Sequence, residues 1–301
     1  MVNKKFLLWL EIIGDMLAAI IKLLFGYIGN SAGLIAEGFH SIADSANQIF
    51  LLIGIESSKK RPDKDHPFGY GKERFFYALL SAFFIMLFSG GMAIYQGFDK
   101  LFHPEQITNF QINFIILGIA FCFQAIILVF STRHFQKKMK KYRTKGFFRK
   151  LDLIKEPTTL NLWFNDILAI AGTIVVAIAL VLVRITGNSI FDAIASILIG
   201  TSLVLLGFFL AKDTKDLLIG EAVTPAMYRE IREIIMEHEN VEKIPKLKTM
   251  HLTPYEILIN ADVQFKDGLK TEELEDTIDE IEKAIRKEIP AAKQIFIEAE
   301  G

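Results

Sequence analysis

Residues 6–28, 31–55, 75–98, 110–131, 160–183 and 190–210 of this chain form six apolar runs. At about 1.5 Å per residue, each is long enough to cross the roughly 30 Å of hydrocarbon in a bilayer. Lipid offers backbone groups no hydrogen-bond partner, so such runs must be helices that close their bonds internally. The expected fold class is therefore a membrane α-helical domain of six transmembrane helices. Only Gly29 and Asn30 separate the first two runs and residues 184–189 the last two, which makes tight hairpins of both pairs. Lys4 and Lys5, then Lys59, Lys60, Arg61 and Lys64, then the ten Lys and Arg of residues 133–156 fall on one side. Basic loops mark the cytoplasmic face, so a multi-pass protein with both termini in the cytosol is expected, in the cell membrane if its source is bacterial. The basic run at 133–156 has the composition of a nucleic-acid binder. Beside a bilayer it reads as an orientation signal instead, and no nucleic-acid partner is expected.

The charge divides the chain in two. From Lys212 onward 13 Lys and Arg face 21 Asp and Glu, a net −8 in a chain whose total is −1, so the earlier part carries +7. We expect a transmembrane domain over 1–211 and a soluble domain over 212–301. In the second part, residues 225–240 and 271–288 read as amphipathic helices, and 246–253, 256–265 and 293–299 as strands. The order α-β-β-α-β suggests a small cytosolic α+β domain, ferredoxin-like with its first strand short or missing, two helices lying on one antiparallel sheet. Some 90 residues make only a marginal core, which favours a homodimer. Cys122 is the only cysteine, so neither an intrachain disulfide nor a thiolate cluster is expected.

Within the second run, SAGLIAEGFHSIADSANQIFLL, the polar residues Glu37, His40, Asp44 and Asn47 fall within an arc of about 80° on a helix. Each ionisable group in such a span costs about 2.5–3.5 kcal/mol unless it faces a partner, an ion or a watery cavity. His40 and Asp44, one turn apart, can grip a divalent cation from a single helix face. A helix–helix hydrogen-bond network is the plainer alternative. The first run carries Glu11, Asp15 and Lys22 on a face about 40° wide, which reads as an internal neutralising network in preference to a second ion site. Gly90, Gly91 and Gly97 permit close helix approach. The fifth run opens with Glu156-Pro157-Thr158-Thr159 and places Asn161, Asn165 and Asp166 in its first half, at a depth comparable to His40 and Asp44. Asp192, near the start of the sixth run, reads as snorkelling to the interface, with a structural or ion-access role.

Three blocks carry a family likeness: residues 26–44, above all the AEGFHSIAD of residues 36–44; RPDKDHPFGYG at residues 61–71; and LLIGE at residues 217–221. With these the chain resembles the cation diffusion facilitator family, metal/proton antiporters with six spans and a cytosolic ferredoxin-like dimerisation domain. Glu37, Asn47-Gln48 and Glu156-Pro157-Thr158-Thr159 resemble the branch whose animal members are mitochondrial zinc transporters. The resemblance implies a transport site of His40, Asp44 and Asp166. Many members place a fourth ligand, His, where this chain has Leu162; Asn165 or water is first in line to complete the shell, with Glu37 and Asn47 as further candidates. It also implies a weak peripheral metal position at Asp63 and His66, whose last ligand is here Tyr70. Where relatives hold a His-rich zinc site in the cytosolic domain, this chain has Pro245, Glu275, Glu298 and Glu300, so dimerisation is not expected to require zinc.

The function these readings imply is a secondary transporter, not an enzyme, exporting a divalent transition metal from the cytosol in exchange for protons. Zinc comes first, with manganese, iron or cobalt as alternatives, and no permanently bound cofactor is expected. A metalloenzyme is disfavoured because His-Glu-x-x-His and nucleophile arrangements are absent from the sequence. The polar stripe argues against a third reading, a metal sensor on an inert anchor.

Overall fold

The structure, a computed structural model, describes residues 4–139 and 157–300. Most of the basic connector at 133–156 lies outside them, and the side chains of Glu11 and Asn161 are not among those described. The chain forms two compact units: one runs up to Ser57 and resumes over Glu73–Thr214, the other joins Ser58–Lys72 to everything from Lys215 onward.

The first unit is helical: α1 (Lys4–Ile28), α2 (Ala32–Ser57), α3 (Glu73–Phe83) continued through a π-helical stretch (Phe84–Gly90) into α4 (Gly91–Phe102), α5 (Phe110–Met139), α6 (Pro157–Thr186) and α7 (Ile190–Ile219). Among the described residues, four stretches, Glu73–Phe102, Phe110–Lys137, Leu162–Thr186 and Ile190–Ile219, are long and apolar enough to cross a membrane. Helices α1 and α2 are of similar length but carry the charged and polar side chains of the first two runs. Their turn ends α1 with Asn30 in the left-handed region, φ 50°, while Ser31 N donates back to Gly26 O at 2.9 Å. This is the reversed hydrogen bonding that closes a helix C-terminus. At the other hairpin Gly187, φ 70°, ends α6 with its N–H on Val183 O at 2.8 Å.

Asp192 departs from the sequence expectation. It does not snorkel: it is fully buried, and its carboxylate accepts from Ser31 Oγ (2.9 Å), Ala32 N (2.6 Å) and Gly33 N (3.1 Å), with Lys100 Nζ 3.9 Å away. An anion at the first N–H groups of α2 satisfies donors that have no intrahelical acceptor and meets the positive end of the helix dipole. Close approach also proves selective among the glycines. Gly90 and Gly97 face the backbone of α7 at Gly200 and Ala193, whereas Gly91 faces open space. Large apolar side chains such as Ile20 on α1 and Ile119 on α5 remain exposed, a surface suited to hydrocarbon.

In the second unit, α8 (Pro225–Met236), β1 (Val241–Thr253), β2 (Glu256–Phe265), α9 (Thr271–Glu288) and β3 (Ala292–Glu300) follow in the expected order. The sheet is mixed, however: β1 pairs antiparallel with the central β2, and β3 pairs parallel to it. The α9 crossover returns β3 in the same direction as β2, which a hairpin cannot do. Along β2 every second residue is buried, from Ile257 through Ile259, Ala261 and Val263 to Phe265, and these pack with Ile231 and Ile235 of α8 and Ile281 and Ile285 of α9. The Ser58–Lys72 loop belongs to this unit, with Phe68 edge-on to Phe296 of β3 at 6.4 Å.

Candidate metal site

Helix α2 presents His40 and Asp44 one turn apart, and α6 brings Asn165 against them. The His40 ring is 1% exposed, its Nδ1 lies 3.7 Å from Asp44 Oδ1, and neither ring nitrogen makes a hydrogen bond. The Asn165 amide donates from Nδ2 to the same Asp44 oxygen, leaving its own Oδ1 buried without a partner. A buried imidazole with both nitrogens unbonded is costly, and a metal ion is one species that repays it. The donor chemistry fits a divalent transition metal: one imidazole with carboxylate and amide oxygens.

The other candidates stand around this pair in different ways. Among the described residues, no three His, Cys, Asp or Glu side chains converge closely enough to hold a metal ion. Asp166, half-buried, follows Asn165 on α6 and lies within electrostatic range of Asp15 on α1. Glu37 is held through one oxygen: Lys22 Nζ donates to Oε2 at 3.0 Å and to Ser41 Oγ at 3.1 Å, Thr173 of α6 donates to the same Glu37 oxygen at 3.0 Å, and Glu37 Oε1 is buried without a hydrogen-bond partner. Asn47 accepts from Ser81 of α3. Lys22 therefore pairs directly with an acid of α2, while it acts on Asp15 of its own helix only electrostatically.

Two neighbours were not assigned to the site from the sequence: Gln48, which entered there only through the family likeness, and Thr173. Gln48 donates from Nε2 to Asp15 Oδ2 at 2.9 Å, and Thr173 lies 2.8 Å from Gln124 of α5. Gln48 was detectable, since residues 40, 44 and 48 repeat every fourth position along one helix face. In the second unit, the peripheral pair Asp63 and His66 lies 3.6 Å apart on the surface. Asp63 there accepts from Tyr70 Oη (2.7 Å), His66 N (2.8 Å) and Asp65 N (3.1 Å). The Tyr70 hydroxyl first, and then these backbone donors, hold its carboxyl below the usual carboxylate range.

Residues 8–219 match the cation efflux transmembrane domain, and residues 223–301 match the cation efflux protein cytoplasmic domain. Metal tolerance protein C4 of Arabidopsis thaliana is 29% identical over 255 residues, 82% of this chain and 54% of that protein. The human mitochondrial proton-coupled zinc antiporter SLC30A9 is 28% identical over 240 residues, 79% of this chain and 42% of that protein. The chain thus spans about half the length of these plant and animal relatives. The manganese efflux system protein MneP of Bacillus subtilis is 24% identical over 307 residues, 96% of this chain and 93% of that protein.

Proposed function

The chain belongs to the cation efflux family, a family of transporters and not enzymes, and on that premise we propose that it exports a divalent transition metal from the cytosol in exchange for protons, zinc first. The observation that carries this reading is His40, buried in a helix bundle beside Asp44 with both ring nitrogens unbonded. In this reading six spans surround the ion, both termini face the cytosol, and the second unit pairs two copies into a homodimer. His40 and Asp44 of α2, with Asn165 and Asp166 of α6, bind the ion; Glu37, tied to Lys22 through one oxygen, and Asn47, bonded to Ser81, support the bundle.

Proton exchange follows from the ligands. A metal requires neutral imidazole and ionised carboxylates, so loading the site releases protons, and protons arriving from the far side release the metal. Movement of one helix group against another would expose the site to each side in turn.

Manganese is the second reading, favoured by the oxygen-rich donor set and by Leu162 in place of a second imidazole. Proteoliposomes holding purified protein, with and without a pH gradient, test both readings across zinc, manganese, iron and cobalt. The expected result is gradient-driven zinc uptake that His40→Ala and Asp44→Ala abolish while protein folding is retained. Full flux through both variants would end the proposal, and manganese uptake without zinc uptake would select the second reading.

A further inference from the structure

Asp44 is not the only carboxylate in this bundle that meets an amide nitrogen. Asn165 donates from Nδ2 to Asp44, and Gln48 donates from Nε2 to Asp15 Oδ2 at 2.9 Å. In both pairs the amide oxygen, Asn165 Oδ1 and Gln48 Oε1, is buried with no hydrogen-bond partner. Gln48 is 8% exposed and stands one turn past Asp44, as Asp44 stands one turn past His40. Five polar atoms therefore lie without a hydrogen-bond partner here: two of the His40 imidazole, one from each amide, the Asn165 amide reaching in from α6, and Glu37 Oε1. An amide turned by 180° exchanges its donor for its acceptor at almost no cost in shape.

The charges point the same way. Asp15 lies within electrostatic range of Asp44 and Asp166, and the basic group acting on it is Lys22. The Lys22 ammonium is bonded to Glu37 and Ser41. A cation bound beside Asp15 and Asp44 would be attracted by more than one carboxyl group in a low-dielectric bundle.

We propose that α1 is a third contributor to the ion site: Asp15 and Gln48 complete the shell of the divalent cation held by His40 and Asp44, the amides of Gln48 and Asn165 turning over to present oxygen when it binds. In the metal-free protein the two amide N–H₂ groups stand where the ion will be. The inference rests on the transporter reading and adds to it the oxygen ligands that take the place of the imidazole missing at Leu162.

The test is calorimetric titration of purified full-length protein in lipid nanodiscs with zinc and, separately, with manganese, on wild type, Asp15→Asn and Gln48→Leu, with His40→Ala as the control. Asp15→Asn keeps an acceptor for the Gln48 amide and removes the charge, so its metal-free melting temperature should stay near wild type while affinity falls at least about tenfold. Gln48→Leu should weaken manganese more than zinc, because the harder ion depends more on oxygen donors; a purely structural role would lower the melting temperature without moving that ratio. Wild-type affinity and selectivity in both variants, with His40→Ala impaired, would overturn the inference and leave the transporter reading standing. A wild type that binds neither metal would sink both. If Gln48→Leu loses its metal-free melting transition, Asp15→Asn decides the matter alone.

Discussion

Lys22 of α1 and Glu37 of α2 meet with Nζ 3.0 Å from Oε2, their side chains 1% and 0% exposed. Because Thr173 of α6 shares that oxygen, this one contact ties three helices together a turn away from His40. Removing one partner leaves an uncompensated charge in the bundle, at a cost of about 3–5 kcal/mol. Lys22→Met should therefore lower the melting temperature sharply in detergent, whereas the double variant Lys22→Met, Glu37→Met should recover most of the loss. A double variant no better than the single one would show that Glu37 does not depend on Lys22 for its burial.

The glycines offer a paired prediction. A Cβ at Gly200 would lie 2.7 Å from Ile94 N and 2.8 Å from Gly90 O, backbone atoms that cannot yield without parting α7 from α4. Gly200→Ala should destabilise by about 1–3 kcal/mol through overpacking. Gly91→Ala meets nothing within 4 Å and should be neutral or gain up to about 1 kcal/mol from helix propensity. Melting temperatures of the two variants, measured side by side, check the contrast.

The sequence made His40 and Asp44 visible because helical periodicity alone puts them on one face. The same arithmetic grouped Lys22 with Asp15 on α1 and could not show its ion pair with Glu37, since it ranks neighbours on one helix and is blind to which helix packs opposite. Asp192 was misread for a related reason. Its place near the start of a span suggested the interface, but the fold swings the N-terminus of α2 onto its carboxylate across a separation of 160 residues. In the second unit, alternation located all three strands, yet strand direction is set by connection and not by pattern, so the parallel pairing of β3 was not legible.

At the surface, Asp63 gives a prediction in pH. Its folded pKa lies below the ordinary value, so its hydrogen bonds contribute fully above about pH 4 and are lost as pH falls through the lowered folded value. The Tyr70 hydroxyl is the largest cause, and Tyr70→Phe should move the titration of Asp63 upward. Carboxyl NMR titration of the two proteins measures this directly. An unchanged midpoint would show that the Tyr70 contact does not persist in solution.

Leu162 precedes Asp166 on α6 by one turn, as His40 precedes Asp44 on α2. If this half of α6 faces the ion, Leu162→His supplies a second imidazole at ligating spacing, and Leu162 is only half-buried, so the ring can be accommodated. Nitrogen donors favour zinc over manganese. Zinc affinity should therefore rise at least about tenfold while manganese affinity changes little, measured by competition between the two ions. Because a second imidazole must be neutral to bind, zinc affinity should also fall more steeply below about pH 6.5 than in wild type. A variant whose zinc-to-manganese ratio and pH slope both match wild type would place residue 162 away from the ion, and would leave Asn165, with its hydrogen bond to Asp44, as the contact through which α6 reaches the site.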